Sequence, residues 1–364
     1  MKNVSNIEEL YSAVNNTAND GETIVLAPGT YALSANAPGG SPRPNGGRLE
    51  LRLDMSLIGV EGDRSAVKID TSLLPLASLN VSCGAGLPTR TGAIRMGRGS
   101  NSIEWLTVLG NPLSASGIET DLAGTGTAKV RVAHVVSGGS TRGLDVRNLG
   151  ATMAGRKLDA EIVDNDFSSG IGALGINEAI RLVNFIGADG GQIHARMSGN
   201  RFHHSPTGCL AANNRANAGA IDVRSDGDTF EQNGVGCVIA GAIVSAGTTN
   251  KASTTFEAHG SKFIDNTRPS DGDRGGIVAL GAYAIGLTNV ASDNRVGILL
   301  GGCKISGNQN KDFQAFGARS TAGIAGTNNK VTIELQGVNK QTKVDVTDSE
   351  PVEPAGTNTV TVIR

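Results

Sequence analysis

Aromatic side chains are scarce in this chain: one Trp, three Tyr and eight Phe among 364 residues. A globular core of that length leans on more large rings. The composition therefore speaks against two or three compact domains and for one elongated repeat domain. An excess of either charge is missing as well. The 32 Lys and Arg stand against 34 Asp and Glu, a net charge of −2, which gives no electrostatic case for nucleic acid or an anionic membrane as partner. No apolar run approaches the roughly 18 residues of a spanning helix. The opening Met1-Lys2-Asn3-Val4-Ser5 lacks the apolar core of a secretory leader. The compartment stays open, with a secreted or periplasmic protein favoured if a leader has been removed. The four cysteines, Cys83, Cys209, Cys237 and Cys303, show neither CxxC nor His-rich spacing, so no metal site is expected from them.

Glycine is what the chain has in quantity, 51 residues, about twice average usage. Short strands joined by tight turns need many glycines and small interior residues. The stretch Gln192–Phe202 shows the unit. Ile193, Ala195 and Met197 alternate with Gln192, His194 and Arg196, the period-two pattern of a half-buried strand. A small polar turn and a phenylalanine follow.

The unit recurs. Phe167, Phe202, Phe230 and Phe263 are 35, 28 and 33 residues apart, and Val290, 27 further on, is assigned the next place. Upstream of each ring lie inward positions: Leu158, Ala160 and Ile162, then Ile193, Ala195 and Met197, then Ile221, Val223 and Ser225, then Thr254, Phe256 and Ala258. Downstream come glycine–apolar pairs: Gly170-Ile171, Gly208-Cys209, Gly236-Cys237, Gly276-Ile277 and Gly297-Ile298, with Gly117-Ile118 and Gly143-Leu144 as earlier copies. Cys209 and Cys237 are read as small stacked core residues rather than a disulfide. A constant frame with variable spacing means coils of fixed cross-section carrying loops of variable length. That fits an all-β parallel β-helix better than a propeller, whose blades need a more even period. At about 30 residues a coil the chain makes roughly eleven coils, and at ~4.8 Å per strand the stack is about 50 Å long.

At the start, Ser5 and Glu8 have the form of a capping box, and Ile7, Leu10, Tyr11 and Val14 share one helical face. Gly21-Glu22-Thr23-Ile24-Val25-Leu26-Ala27-Pro28-Gly29-Thr30-Tyr31 then reads as strand, turn and strand. A helix leading into this run resembles the opening of right-handed parallel β-helix proteins of the pectate-lyase-like superfamily, and looks most like the start of alginate and dermatan-sulfate lyases. The resemblance implies that the helix caps the open N-terminal end of the stack, where a strand edge would otherwise be unpaired. It also implies lyase chemistry with Arg, Lys, His or Tyr and often Ca²⁺. No catalytic motif of the family is matched, so no family active site is carried over. The expected organisation is a helical cap at 1–20, a parallel β-helix at 21–337 and C-terminal strands at 338–364 that fold back as a second cap.

If the listed positions point inward, the residues between them point outward. These are Asp159 and Glu161, His194 and Arg196, Asp222 and Arg224, Thr255 and Glu257, with Lys129 and Arg131 from the preceding strand. On a parallel stack, equivalent residues of successive coils are neighbours about 4.8 Å apart. One side should carry a mixed-charge column with His194 between Asp159 and Asp222. Solubility alone accounts for such a face. As a groove floor, flanking carboxylates would hold His194 and raise its pKa for acid–base work. Arg196 and Arg224 would bind a uronate carboxylate in bidentate fashion, making the neighbouring proton removable. The expected catalytic set is His194, Arg196, Asp222 and Arg224; the expected substrate-binding set is Asp159, Glu161, Arg131, Lys129 and Glu257.

The outward face after each glycine changes character. It shows Glu119, Asp121, Asp145 and Arg147 in early coils and Leu174, Leu210, Val238, Val278, Leu280 and Leu299 later. An apolar stripe on a stack needs a cover: a loop of the same chain, a homo-oligomer partner, or an apolar ligand lying in a groove. His203 and His204 are expected to point apart and not to share a metal. The run Arg268–Arg274 is a solvated loop, or a substrate or Ca²⁺ loop. Asn165, Asn200 and Asp228 form a stacked turn ladder, and Trp105 is placed in the core or under a loop. The best functional reading is a carbohydrate-active protein working on an acidic glycan by lyase or epimerase chemistry. The rivals are a non-catalytic glycan-binding, adhesin-like or phage-associated stack, and an isomerase or cyclase of a small apolar compound.

Overall fold

This computed structural model describes residues 1–79, 92–113, 116–122, 126–169, 177–244, 247–267, 275–285, 290–308, 311–320, 326–339, 342, 344–350 and 357–364, without the side chains of 348–350. Three long sheets run the length of the stack, with twelve, ten and nine strands, and a small two-stranded sheet lies beside them. Neighbouring strands are parallel and nearly in register throughout. One coil takes a strand from each long sheet in turn. Lys157–Val163, Asp166–Ser168 and Glu178–Phe185 make one; Gln192–Ser198, Arg201–His203 and Thr207–Asn214 make the next. The fold is a parallel β-helix with one apolar core running down its interior.

The alternation read from the sequence is what places the chain in this core. In Gln192–Ser198 the inward residues Ile193, Ala195 and Met197 are buried and their neighbours are not. The nine-stranded sheet contributes one inward residue per coil, a phenylalanine in four successive coils. Phe167, Phe202, Phe230 and Phe263 pair in register, and the last three stack at 4.9 Å between ring centroids, each contact adding about 0.5–1.5 kcal/mol beyond burial. The next place belongs to Ile305, not Val290, which pairs with Thr248 in the two-stranded sheet. Gly297-Ile298 is also reassigned. Ile298 pairs with Phe256 in the twelve-stranded sheet, because Val296, Ile298 and Leu300 alternate as a full strand. Gly208-Cys209, Gly236-Cys237 and Gly276-Ile277 do stack; Gly170-Ile171 lies outside the described residues, as does Cys83.

The corner between the twelve- and nine-stranded sheets needs one residue in the left-handed region. Trp105, His134 and Asp164 fill it in early coils, and Gly199, Gly227, Gly260 and Gly302 in later ones. Non-glycine residues there cost about 1–2 kcal/mol each. The residue after it starts the expected ladder. Asn165 donates to Asn200 Oδ1 at 2.9 Å, and Asn200 to Asp228 Oδ1 at 2.8 Å. Three further ladders occupy other corners: Asn148–Asn184–Asn213, Asn233–Asn266–Asn308 and Asn294–Asn329–Asn358. Each satisfies backbone groups that a bend would otherwise leave unpaired.

The helix Ile7–Asn15 buries Leu10, Tyr11, Ala13 and Val14 against the first coil. Its capping residues are shifted by one from the Ser5–Glu8 expectation. Asn6 accepts from Glu9 N at 3.0 Å, and Glu9 reaches back to Ser5 N at 2.8 Å. At the other end, Val344–Glu350 and Thr359–Ile363 pair in parallel with Phe313–Ser320 and Lys330–Gln336. They extend two of the sheets.

Candidate functional site

Register brings all nine sequence-derived site residues onto two adjacent rows of the twelve-stranded sheet. One row runs Lys129, Asp159, His194, Asp222, Thr255; the other runs Arg131, Glu161, Arg196, Arg224, Glu257. They floor an open trough. One stretch of about 800 Å³ is lined by Lys129, Arg131, Asp159 and Glu161, and a second of about 540 Å³ by Asp222, Arg224, Thr255 and Glu257; the two share His194 and Arg196.

The charges within the trough are not equally free. Arg131 Nη1 lies 2.5 Å from Glu161, and Arg224 Nε donates to Asp226 Oδ2 at 2.9 Å. Glu257 holds His259 at 2.6 Å, and Asp159 lies 3.5 Å from Lys157. His194 Nδ1 is 3.3 Å from Asp222 Oδ2, an ion-pair distance without a hydrogen bond, while its other expected carboxylate, Asp159, lies near Lys157. Asp222 accepts from the Thr255 hydroxyl. The side chains of Arg196 and Lys129 have no hydrogen-bond or ion-pair partner among the described residues. The trough thus offers two unpaired cations and an imidazole close to a carboxylate.

Calcium, implied by the resemblance, finds no cage here. The trough carboxylates are engaged by Lys157, Arg131, His194 and His259, and among the described residues no group of three or more His, Cys, Asp or Glu is arranged to hold a metal ion. No step below runs through it.

A second charged cluster sits on the outward face of the ten-stranded sheet, and the sequence reading gave it no role. Arg95, Glu119, Asp145 and Arg181 are successive residues of one row. Arg95 bonds Asp121 and Glu50 at 2.8 Å each, Arg147 lies 2.7 Å from Asp121, and Arg181 Nε donates to Asp145 at 2.9 Å. Arg142 lies 2.6 Å from Glu178. Unlike the trough, this cluster is sealed: Glu119 and Asp145 expose none of their surface. Burial pushes the Glu119 carboxyl up to about 8 against the pull of Arg147, with Asp121 and Asp145 adding to the rise. Burial acts the same way on Asp145, but Arg181 and Arg147 outweigh it and hold that carboxyl at about 2. Glu119 Oε1 is 2.5 Å from Arg147 Nη2 but off the N–H direction, so this contact is charge attraction without a hydrogen bond. The only sequence signal was charge at alternate positions within apolar strands, as in Leu144-Asp145-Val146-Arg147.

Further along this face the row turns apolar through Leu210, Val238 and Val278. Val278 and Leu280 are 2% and 5% exposed within the single chain. Leu299 does not belong with them. It pairs with Glu257 in the trough, for the same reason that Ile298 changes sheet. Leu174 and the run Arg268–Arg274 lie outside the described residues. His203 and His204 do not point apart, because His204 leaves the strand at φ 49° and turns its ring edge onto His203, which also contacts Asp166. Trp105 is half-buried at an outer corner, stacked on His134 at 3.8 Å, and His134 Nδ1 lies 2.9 Å from Asp164.

No protein-family model and no curated protein matches the chain. Among solved structures, ORF18 of Geobacillus virus E2 is similar at 9% identity and a TM-score of 0.39, over 94% of this chain and 56% of that one. This chain therefore spans little more than half the length of the viral protein. Pectate lyase Pel9A is similar at 13% identity and a TM-score of 0.36, over 95% and 75% of the two chains. The A-module of the Azotobacter vinelandii mannuronan C-5 epimerase AlgE4 is similar at 12% identity and 0.37, over 99% and 100%. The stacked parallel sheets of the chain itself establish the parallel β-helix fold expected from its opening residues.

Proposed function

We propose that the protein is a carbohydrate-active β-helix that takes a uronate-containing glycan along the trough and acts on it by proton abstraction, as a lyase or epimerase. One observation carries this reading: the trough floor holds the His194–Asp222 pair with the unpaired Arg196 on the His194 strand and the unpaired Lys129 two coils before it in the same row. Asp222 places a carboxylate 3.3 Å from His194 Nδ1, and an imidazole with its proton on Nδ1 carries a lone pair on Nε2 that serves as a base. Arg196 lies two residues along the same strand, about 7 Å away. A uronate carboxylate on its guanidinium would lose charge, which acidifies the proton on the adjacent carbon. In the lyase reaction Nε2 takes that proton, the C–H electron pair becomes a carbon–carbon double bond, and the glycosidic oxygen leaves with its bonding pair and takes a proton from water. In the epimerase reaction the carbon is reprotonated from its other face.

The test is incubation with alginate, pectate and glycosaminoglycans. Ultraviolet absorbance reports unsaturated product, and proton–deuteron exchange by NMR reports epimerisation. His194→Ala and Arg196→Ala should abolish turnover while the circular dichroism spectrum stays that of the wild type; undiminished rates in either variant would remove this site. A second reading, glycan binding without turnover, is favoured by the trough lining. Among the described residues its one Phe, Tyr or Trp is Phe256, which is 1% exposed, so these residues offer no such ring for sugar stacking. Binding of a polyuronate with neither product nor exchange assigns that reading.

A further inference from the structure

Beyond Asp222 and Arg224 the trough changes chemistry. The row that holds His194 continues Thr255, Gly297, Thr332, and the row that holds Arg196 continues Glu257, Leu299, Glu334. Gly297 sits mid-strand without a positive φ, and a Cβ built on it would meet only Thr255 Cγ2, at an ordinary 3.6 Å. Neither backbone nor packing requires glycine here. A glycine inside a strand costs about 0.5–1 kcal/mol, and such a position often marks where a ligand approaches closely. The missing side chain leaves a notch in the trough floor. Beside it, Leu299 is half-buried between the two carboxylates of Glu257 and Glu334, an apolar side chain where charge is the rule. Thr332 is exposed, and its hydroxyl has no partner among the described residues.

We infer that Gly297, Leu299 and Thr332 form a subsite for an acetyl group carried by the acidic glycan, an inference that rests on the trough reading above. The notch admits the substituent, Leu299 takes its methyl, and the Thr332 hydroxyl donates to its carbonyl oxygen. A methyl ester would fill the notch too, but it would remove the carboxylate charge that Arg196 and Lys129 are placed to meet. Gly297 and Leu299 lie three coils from His194 and Arg196 and Thr332 lies four, about 14–19 Å along the stack, so one bound chain reaches both.

Binding is measured by calorimetry against three polymers: an O-acetylated polyuronate, the same polymer after saponification, and a copolymer of uronate with N-acetylhexosamine. Burial of one methyl with one hydrogen bond should make the preferred acetylated polymer bind about tenfold more tightly than the saponified one. Preference for the first polymer identifies an O-acetyl group, and preference for the third an N-acetyl group. The ratio should fall to about one in Gly297→Val and Leu299→Ser. In Arg196→Ala it should persist while the affinities for all three polymers drop together. Equal wild-type affinities overturn the subsite and leave the trough reading standing, as does a preference that survives in both subsite variants. No binding of any polymer overturns the trough reading and the subsite with it.

Discussion

Asn200 donates its side-chain amide to Asp228 Oδ1 at 2.8 Å, and there the ladder of amides ends in a carboxyl group. Asn165 and Asn200 each also donate to a carbonyl of the preceding coil, Val132 and Ile162. A carboxylate has no N–H for that role, and Asp228 accepts from Ser225 Oγ instead, at 2.6 Å. Burial pushes the Asp228 carboxyl up to about 6, against the bonds from Ser225 and Asn200 that favour its charged form. The folded chain therefore holds this proton more tightly than the unfolded chain. Stability from this group is full below the ordinary value of 3.8 and falls as pH rises through about 6. Asp228→Asn should raise stability by on the order of 1–3 kcal/mol at pH 7.5, with the gain shrinking toward pH 4. Urea unfolding at both pH values measures it, and no gain at pH 7.5 refutes the account.

Glu119 extends the same argument to the ionic cluster. Its carboxyl is held up at about 8 by burial and by Asp121 and Asp145, against Arg147. The sign is again that of a raised acid: the folded chain binds more protons between about pH 4.5 and 8, so stability declines across that window. Glu119→Gln mimics the protonated side chain and should flatten the decline. Melting temperatures at pH 5, 6.5 and 8 test this. A wild-type curve that rises over the window would show that Glu119 is ionised in the folded chain.

Arg147 is the cation on which that cluster depends. It faces Glu119, Asp121 and Asp145 with almost no exposed surface. Removing one partner of a buried ionic group leaves the others uncompensated, at about 3–5 kcal/mol. Arg147→Met keeps much of the volume and should lose that much stability at pH 7, with more lost at pH 9, where Glu119 is ionised and needs its cation. Denaturant unfolding at both pH values reads the difference; equal losses would mean that Arg147 contributes packing alone.

The sequence showed the coil but not everything the coil carries. Period-two alternation and the recurring phenylalanine are local signals, and they placed Ile193, Met197, Phe202 and Phe230 correctly. Counting by spacing failed at Val290 because the coil from Phe263 to Ile305 holds an additional short strand, Val290–Ser292. Leu299 and Ile298 failed together, since a glycine–isoleucine pair looks the same in either sheet. Three of the four asparagine ladders were invisible because one asparagine per coil, at uneven intervals, reads as an ordinary loop residue. The trough rows were legible because register follows from alternation. Burial of Glu119, Asp145 and Arg147 was not, because an outward position is exposed unless other parts of the chain cover it, and no local pattern records that.

The corrected register has a consequence for stability. Ile305 is 5% exposed and stacks on Phe263, while Val290 is half-buried in the two-stranded sheet. Ile305→Ala should cost about 2–4 kcal/mol, and Val290→Ala less than about 1.5 kcal/mol. Phe230, with rings on both sides at 4.9 Å, should cost about 3–5 kcal/mol as Phe230→Ala. Guanidinium unfolding of the three variants ranks them, and a larger loss at position 290 than at 305 would restore the simpler spacing.

Arg196 and Arg224 occupy neighbouring places in one row, yet only one of them is free. Arg224 Nε donates to Asp226 at 2.9 Å, whereas the Arg196 side chain has no partner among the described residues. A glycan carboxylate arriving at Arg224 competes with an ion already in place, while at Arg196 it displaces only water and salt. Substituting each with Ala should therefore separate them. Arg196→Ala is expected to weaken polyuronate binding by about tenfold, the value of one charge-assisted pair, and Arg224→Ala by less than about threefold. Raising the salt from 50 to 300 mM should weaken the wild type more than Arg196→Ala, because part of the screened attraction is already gone in the variant. Titration of both variants at the two salt concentrations decides it, and equal losses at the two positions would mean that the trough recognises its ligand through overall charge rather than through the unpaired guanidinium beside His194.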